Sequence, residues 1–129
     1  MLTPRAAVVL TVWETVTTQL AKSGALALSY LPDENDLDAQ EEAAAREAAD
    51  RGVLTADARG WRATGRVENA PVAVWQTVIA VADELNASLI VCGARGRNAA
   101  KRTLLGSVAE AVLHHGHRPT LIAPQPPSN

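Results

Sequence analysis

Residues 87–124 read ASLIVCGARGRNAAKRTLLGSVAEAVLHHGHRPTLIAP. The run Leu89-Ile90-Val91-Cys92 is continuously apolar, which suits a short strand buried on both faces. It breaks at Gly93-Ala94-Arg95-Gly96, and after nine intervening residues come Gly106 and Ser107, where a helix is expected to begin. Thr120-Leu121-Ile122-Ala123 is a second expected strand. Strand, glycine loop, helix, strand is the layout in which parallel α/β proteins offer backbone N–H groups to a phosphate, just beyond a strand's carboxyl end.

Upstream, the same alternation continues. Residues 6–12 (AAVVLTV) form a β-branched run without polar alternation, again a strand buried on both faces. Residues 15–32 carry mixed signals: a helical turn at Val16-Thr17-Thr18-Gln19-Leu20, an extended stretch at Ala25-Leu26-Ala27-Leu28, and otherwise a long irregular connection. The acidic cluster at residues 33–38 suits the positive end of a helix dipole, so a helix is expected from there to about Ala58. Glu42–Arg46, Arg46–Asp50 and Glu47–Arg51 are its i,i+4 pairs on a solvated face. Gly52 weakens this helix and Gly60 ends it. Residues 61–64 alternate as a half-exposed strand, residues 65–70 read as a turn, and Pro71 falls in the first turn of the next helix. Val72, Trp75, Val78, Ile79, Ala82 and Leu85 recur at helical spacing up to Asn86. The order of strands and helices predicts an α/β fold with a mostly parallel sheet and right-handed crossovers.

With 129 residues, the chain matches the size of one domain, here residues 1–124 followed by a frayed Pro-rich tail at 125–129. The apolar share is 47%, yet Phe is absent and Ala and Val dominate, which favours close helix–sheet packing over an aromatic core. A net charge of −2 excludes global attraction to nucleic acid or anionic membrane. The single Cys92 has no partner for an internal disulfide and reads as a small buried hydrophobe. A membrane-spanning helix needs roughly 18 or more apolar residues, and the sequence has no such run and no signal-peptide pattern, so a cytoplasmic protein is expected.

The spacing G-x-x-G, nine residues, G-S, filled by Gly93, Gly96, Gly106 and Ser107, resembles the nucleotide-binding pattern of the universal stress protein family. The flanking IVCGARGR, LLGSVAEAVLHH and RPTLIAP resemble it too. This resemblance implies a Rossmann-like, adenine nucleotide alpha hydrolase-like three-layer sandwich. It implies a homodimeric stress-response protein that binds ATP or another adenine nucleotide. By the same resemblance, Gly93, Gly96, Gly106, Ser107 and Val108 would line the phosphates and ribose, and Arg95 and Arg97 would add charge. Cys92 and Val12 would sit near the base. The last strand would pair antiparallel with its twin in the dimer.

The resemblance also implies a departure. The family's first strand, which ends in an Asp-Gly-Ser-like turn, and the helix after it have no counterpart in these residues. In the family's sheet order, 3-2-1-4-5, that strand is central. A gap there would strand buried backbone groups at a cost of about 1–3 kcal/mol each. Direct pairing of the strand at Ala6 with the strand at Leu89, a strand donated by another chain, substitution by the region from Ala25, or an upstream segment would each close it. The departure motivates an alternative function: an assembly module of the same fold that does not bind nucleotide and is completed by strand exchange or a partner chain.

Other chemistry is weaker. Ser107 and Glu110 fit an S-x-x-E capping box. His114, His115 and His117 sit where a helix ends and face the negative end of its dipole. Adjacent histidines point apart on a helix, and no further ligand residue stands nearby, so a metal site is not expected. No nucleophile–base pair or paired carboxylates stand at a catalytic spacing, so no enzyme activity is expected.

Overall fold

The computed structural model describes residues 5–24, 34–94 and 105–124. The chain divides into two compact units, Met1–Val72 and Ala73–Asn129. In the first, strand β1 (Ala6–Trp13) is followed by helix α1 (Val16–Ser23), helix α2 (Glu34–Ala58) and strand β2 (Arg62–Asn69). In the second, helix α3 (Val74–Glu84) leads to strand β3 (Ile90–Gly93), helix α4 (Ser107–His115) and strand β4 (Thr120–Ala123). β1 pairs parallel with β2, and β3 parallel with β4, as two two-stranded sheets. The parallel α/β class is therefore as expected. A ladder between the strands at Ala6 and Leu89 is not among those formed by the described residues.

In the first unit, β1 and β2 run in step from Ala6 opposite Arg62 to Trp13 opposite Asn69. β2 thus continues through Gly65 and Arg66, where the sequence reads as a turn. The ladder to an eight-residue β1 supplies bonds that local propensity does not offer. α2 lies on this pair through small residues: Ala45 and Ala49 are buried. A Cβ on Gly52 would come 2.6 Å from Cγ1 of Val9, so the helix is seated on the strand where it lacks a side chain. Gly52 is therefore a packing position rather than a flaw in the helix. Gly60 ends α2 as expected, with φ +90° and Trp61 N donating to the Ala56 carbonyl at 3.1 Å. Glu42–Arg46 and Glu47–Arg51 form at 3.6 and 3.2 Å on the exposed face.

α1 takes up the first part of the connection expected to be irregular after β1. Thr15 caps it, its Oγ1 accepting from Thr18 N at 3.1 Å, and Gly24 closes it in the left-handed region at φ 76°. Asp38 of α2 accepts from Val16 N at 2.8 Å, which ties the start of α1 to the longer helix. Lys22 and Glu14 form an ion pair across the same turn. The stretch expected to be extended from Ala25 lies outside the described residues.

In the second unit, Ala82, Ile90 and Val112 form the buried centre, with Trp75, Val78, Ala87, Cys92 and Val108 packed around it. α3 starts later than the sequence suggests: Pro71 precedes the N-cap, Ala73, and Val72 lies outside the helix. Asn86 takes a left-handed φ of 48°, and Ala87 N reaches back to the Ala82 carbonyl at 2.9 Å, so α3 stops just before β3. Arg118 then pins this corner. Its guanidinium donates to Asp83 at 3.1 Å and to the Ala87 carbonyl at 2.6 Å, fixing the entry to β4 against the end of α3.

Candidate functional site at the end of β3

β3 runs one residue later than Leu89–Cys92, so Gly93 is its last residue and Ala94 the first beyond the ladder's end. Ala94 N donates to the Ala123 carbonyl at 2.8 Å, holding that end against the end of β4. The Ala94 carbonyl in turn accepts from Gly106 N at 2.7 Å. The start of α4 is thereby hydrogen-bonded to the carboxyl end of β3, and Gly93 and Gly106, thirteen positions apart in sequence, become neighbours through Ala94. Neither Ala94 nor Ala123 stands out in the sequence, because only their backbone groups act.

Gly106 is the N-cap of α4, with extended backbone at φ −62° and ψ 153°, and its carbonyl accepts from Glu110 N at 3.0 Å. Ser107 is therefore the first helical residue, not the cap, and the expected S-x-x-E capping box does not form. Glu110 instead lies 3.9 Å from His114, one turn along the exposed face. Among the described residues the Ser107 hydroxyl has no hydrogen-bond partner. The amides of Ser107, Val108 and Ala109 have no acceptor within the helix, as at any helix start, and the helix dipole adds positive character there. Together these groups make a small concentration of N–H donors and one hydroxyl at the strand's carboxyl end, which suits an anion.

Of the expected site residues, this unit brings together Cys92, Gly93, Gly106, Ser107 and Val108. Val12 belongs to β1 in the first unit. Arg95, Gly96 and Arg97 lie outside the described residues. Cys92 points toward the core, partly buried, and burial pushes its thiol above its ordinary value of 9.0, so it is a neutral packing group at neutral pH. His114 and His115 occupy the last turn of α4, as expected. His115 has a further contact that sequence reading missed: its ring stacks on Trp75 with centroids 4.4 Å apart and planes 21° from parallel. That pair fastens the end of α4 to α3.

A parallel α/β unit whose glycine-ended strand is bonded to the start of the next helix is the layout of open α/β folds. The profile described as "Universal stress protein family" matches residues 4–124, and the chain belongs to that family. A relative, Universal stress protein MJ0531 of Methanocaldococcus jannaschii, is 41% identical over 49 residues, which span 38% of this chain and 29% of the relative's length. The fold is similar to that of the hypothetical protein MJ0577, a structure described as a structure-based assignment of biochemical function. That similarity has a TM-score of 0.74 and 18% identity over 99% of this chain and 81% of the other. The hypothetical protein PH0823 is similar at a TM-score of 0.61 and 21% identity, over 95% of this chain and 78% of its own.

Proposed function

We propose that this chain is a nucleotide-binding, dimeric stress-response protein of the cytoplasm, acting by binding rather than by catalysis. The ligand is an adenine nucleotide, ATP or a close relative, whose phosphates meet the Ser107 and Val108 amides and the Ser107 hydroxyl. The observation that supports this most is the hydrogen bond from Gly106 N to the Ala94 carbonyl at 2.7 Å. It holds the start of α4 beside the last residue of β3, so that the helix amides and Gly93 border one spot. Glycine at positions 93 and 106 leaves room for a phosphate to approach the backbone. Arg95 and Arg97, close to Gly93 in sequence, add charge for the phosphates. Dimerisation through β4 accords with an edge that no strand among the described residues covers. β4 bonds β3 through its odd-numbered residues, which leaves the backbone groups of Thr120 and Ile122 directed away from the sheet.

Isothermal titration of the full chain with ATP, ADP and AMP tests this reading. Saturable binding, weakened at least about tenfold by Gly106→Val with the circular dichroism spectrum unchanged, is expected. Absence of heat for all three nucleotides would overturn it. A second reading, an assembly module that binds no nucleotide, is favoured by one observation: among the described residues β1 is laddered on one side only.

A further inference from the structure

Within the first unit, α1 is secured differently from the elements beside it. α2 buries Ala45 and Ala49, and its Gly52 is seated on Val9 of β1. α1 buries no residue, and Thr17, Gln19 and residues 21–23 are exposed. Its eight residues fall short of the roughly 12–15 that a helix needs to persist in water without tertiary packing. What keeps α1 folded is therefore polar. Thr15 caps its first turn and Gly24 its last. Asp38 of α2 accepts from Val16 N at 2.8 Å, and Glu41, one turn further along α2, accepts from Gln19 Nε2 at 3.3 Å.

The same helix reaches back to the end of β1. Gln19 Nε2 also donates to the Glu14 carbonyl at 3.0 Å, and Lys22 pairs with the Glu14 carboxylate. Glu14 follows directly on Trp13, the last residue of β1. Two side chains of α1 thus hold the carboxyl end of a strand, which is where parallel α/β proteins meet their ligands.

We propose that α1 is a latched flap at the carboxyl end of β1, with Asp38 as the latch. The flap opens locally between Thr15 and Gly24 while β1, α2 and β2 stay folded. Opening breaks polar contacts only, because no buried side chain has to leave a core. Asp38 contributes most to closure. Its carboxylate satisfies an N-terminal amide that the helix itself cannot, at the positive end of the helix dipole. The contacts of Gln19 and Lys22 are made by long side chains at the surface and hold less. When α1 opens, Glu14 loses both partners and the turn after β1 is uncovered. The device lies wholly in the first unit and does not depend on nucleotide binding at α4.

Amide hydrogen exchange of the full chain, read residue by residue by NMR, tests this. After correction for intrinsic rates, the amides of Leu20 to Ser23 are expected to exchange at least about a hundredfold faster than those of Ala49 to Val53. Asp38→Ala should speed exchange at Leu20–Ser23 at least about tenfold further and leave Ala49–Val53 unchanged. Asp38→Asn, which keeps an acceptor but not the charge, should fall between the two. Cleavage by trypsin after Lys22 requires an open helix and should accelerate in the same order. Exchange at Leu20–Ser23 as slow as at Ala49–Val53 would overturn the flap, since α1 would then open only with the whole unit. A response to Asp38→Ala that is absent, or equal in both helices, would overturn the latch.

Discussion

The first unit covers two eight-residue strands with one 25-residue helix, whereas the second sets helices of eleven and nine residues on strands of four. In the first, contact is made by what is missing: Gly52 has no side chain, and Ala45 and Ala49 have little. In the second, Ile90 and Val112 fill the centre, and Val112 is fully buried. Both are parallel α/β units, yet one depends on backbone proximity and the other on side-chain volume. The difference extends to function. Long strands secured by one helix give β1 and β2 an unbroken eight-residue ladder. Short strands end after four residues, and the carboxyl end of β3 is bonded through Ala94 to the start of α4 at Gly106.

If the second unit rests on volume, truncation there has the largest effect. Ile90→Ala removes a buried side chain from its centre and is expected to destabilise the protein by about 2–4 kcal/mol, read from urea unfolding. A loss well below 1 kcal/mol, by the same measurement, would mean that this small core collapses to fill the space and that the contrast with the first unit is false.

If the first unit rests on proximity, adding one methyl group should harm it. Gly52→Ala gains roughly 1 kcal/mol in helix propensity. Its Cβ, however, meets Cγ1 of Val9 at 2.6 Å, and a branched residue in a strand has few ways to move aside. The net expectation is a loss of about 1–2 kcal/mol from overpacking. The double variant Val9→Ala with Gly52→Ala should recover much of it, and a thermodynamic cycle measures the coupling. Additive losses would show that the two positions do not share the contact.

The smallest effect concerns Cys92. Burial raises its thiol above 9.0, so the folded state favours the neutral form. Its stabilising contribution is complete below the unfolded thiol's ordinary value and is lost as pH rises through the higher folded value. Urea midpoints measured from neutral to strongly alkaline pH should therefore fall more steeply for the parent than for Cys92→Ala. Parallel curves would place the thiol in water and remove it from the packing around Ile90.

Much of the architecture was legible because local chemistry and tertiary environment agree. The apolar runs at residues 6–12 and 89–92 mark strands, though not ones buried on both faces, since Val8, Leu89 and Val91 are exposed, and Thr120-Leu121-Ile122-Ala123 forms with the bounds expected. Gly60 is legible as a stop because a left-handed residue at a helix end is a demand of the backbone alone. The spacing from Gly93 to Ser107 identifies the family, and residues 4–124 match it. The candidate site was legible as a set of positions. Its closure was not, since Ala94 and Ala123 contribute backbone groups that any residue supplies.

The sequence by itself determined the order of elements, the parallel α/β class, the family and the positions bordering the β3–α4 turn. These follow from hydrophobic period, from glycine's backbone freedom and from motif spacing, all of which act over a few residues. Only the tertiary structure decided that β2 runs through Gly65, that Gly52 is a contact with Val9, and that Gly106 rather than Ser107 caps α4. It also decided that, among the described residues, β1 ladders with β2 alone. Each of these depends on a partner distant in sequence: a ladder, a neighbouring side chain or the Ala94 carbonyl. Such partners set which groups are satisfied and which remain free to bind.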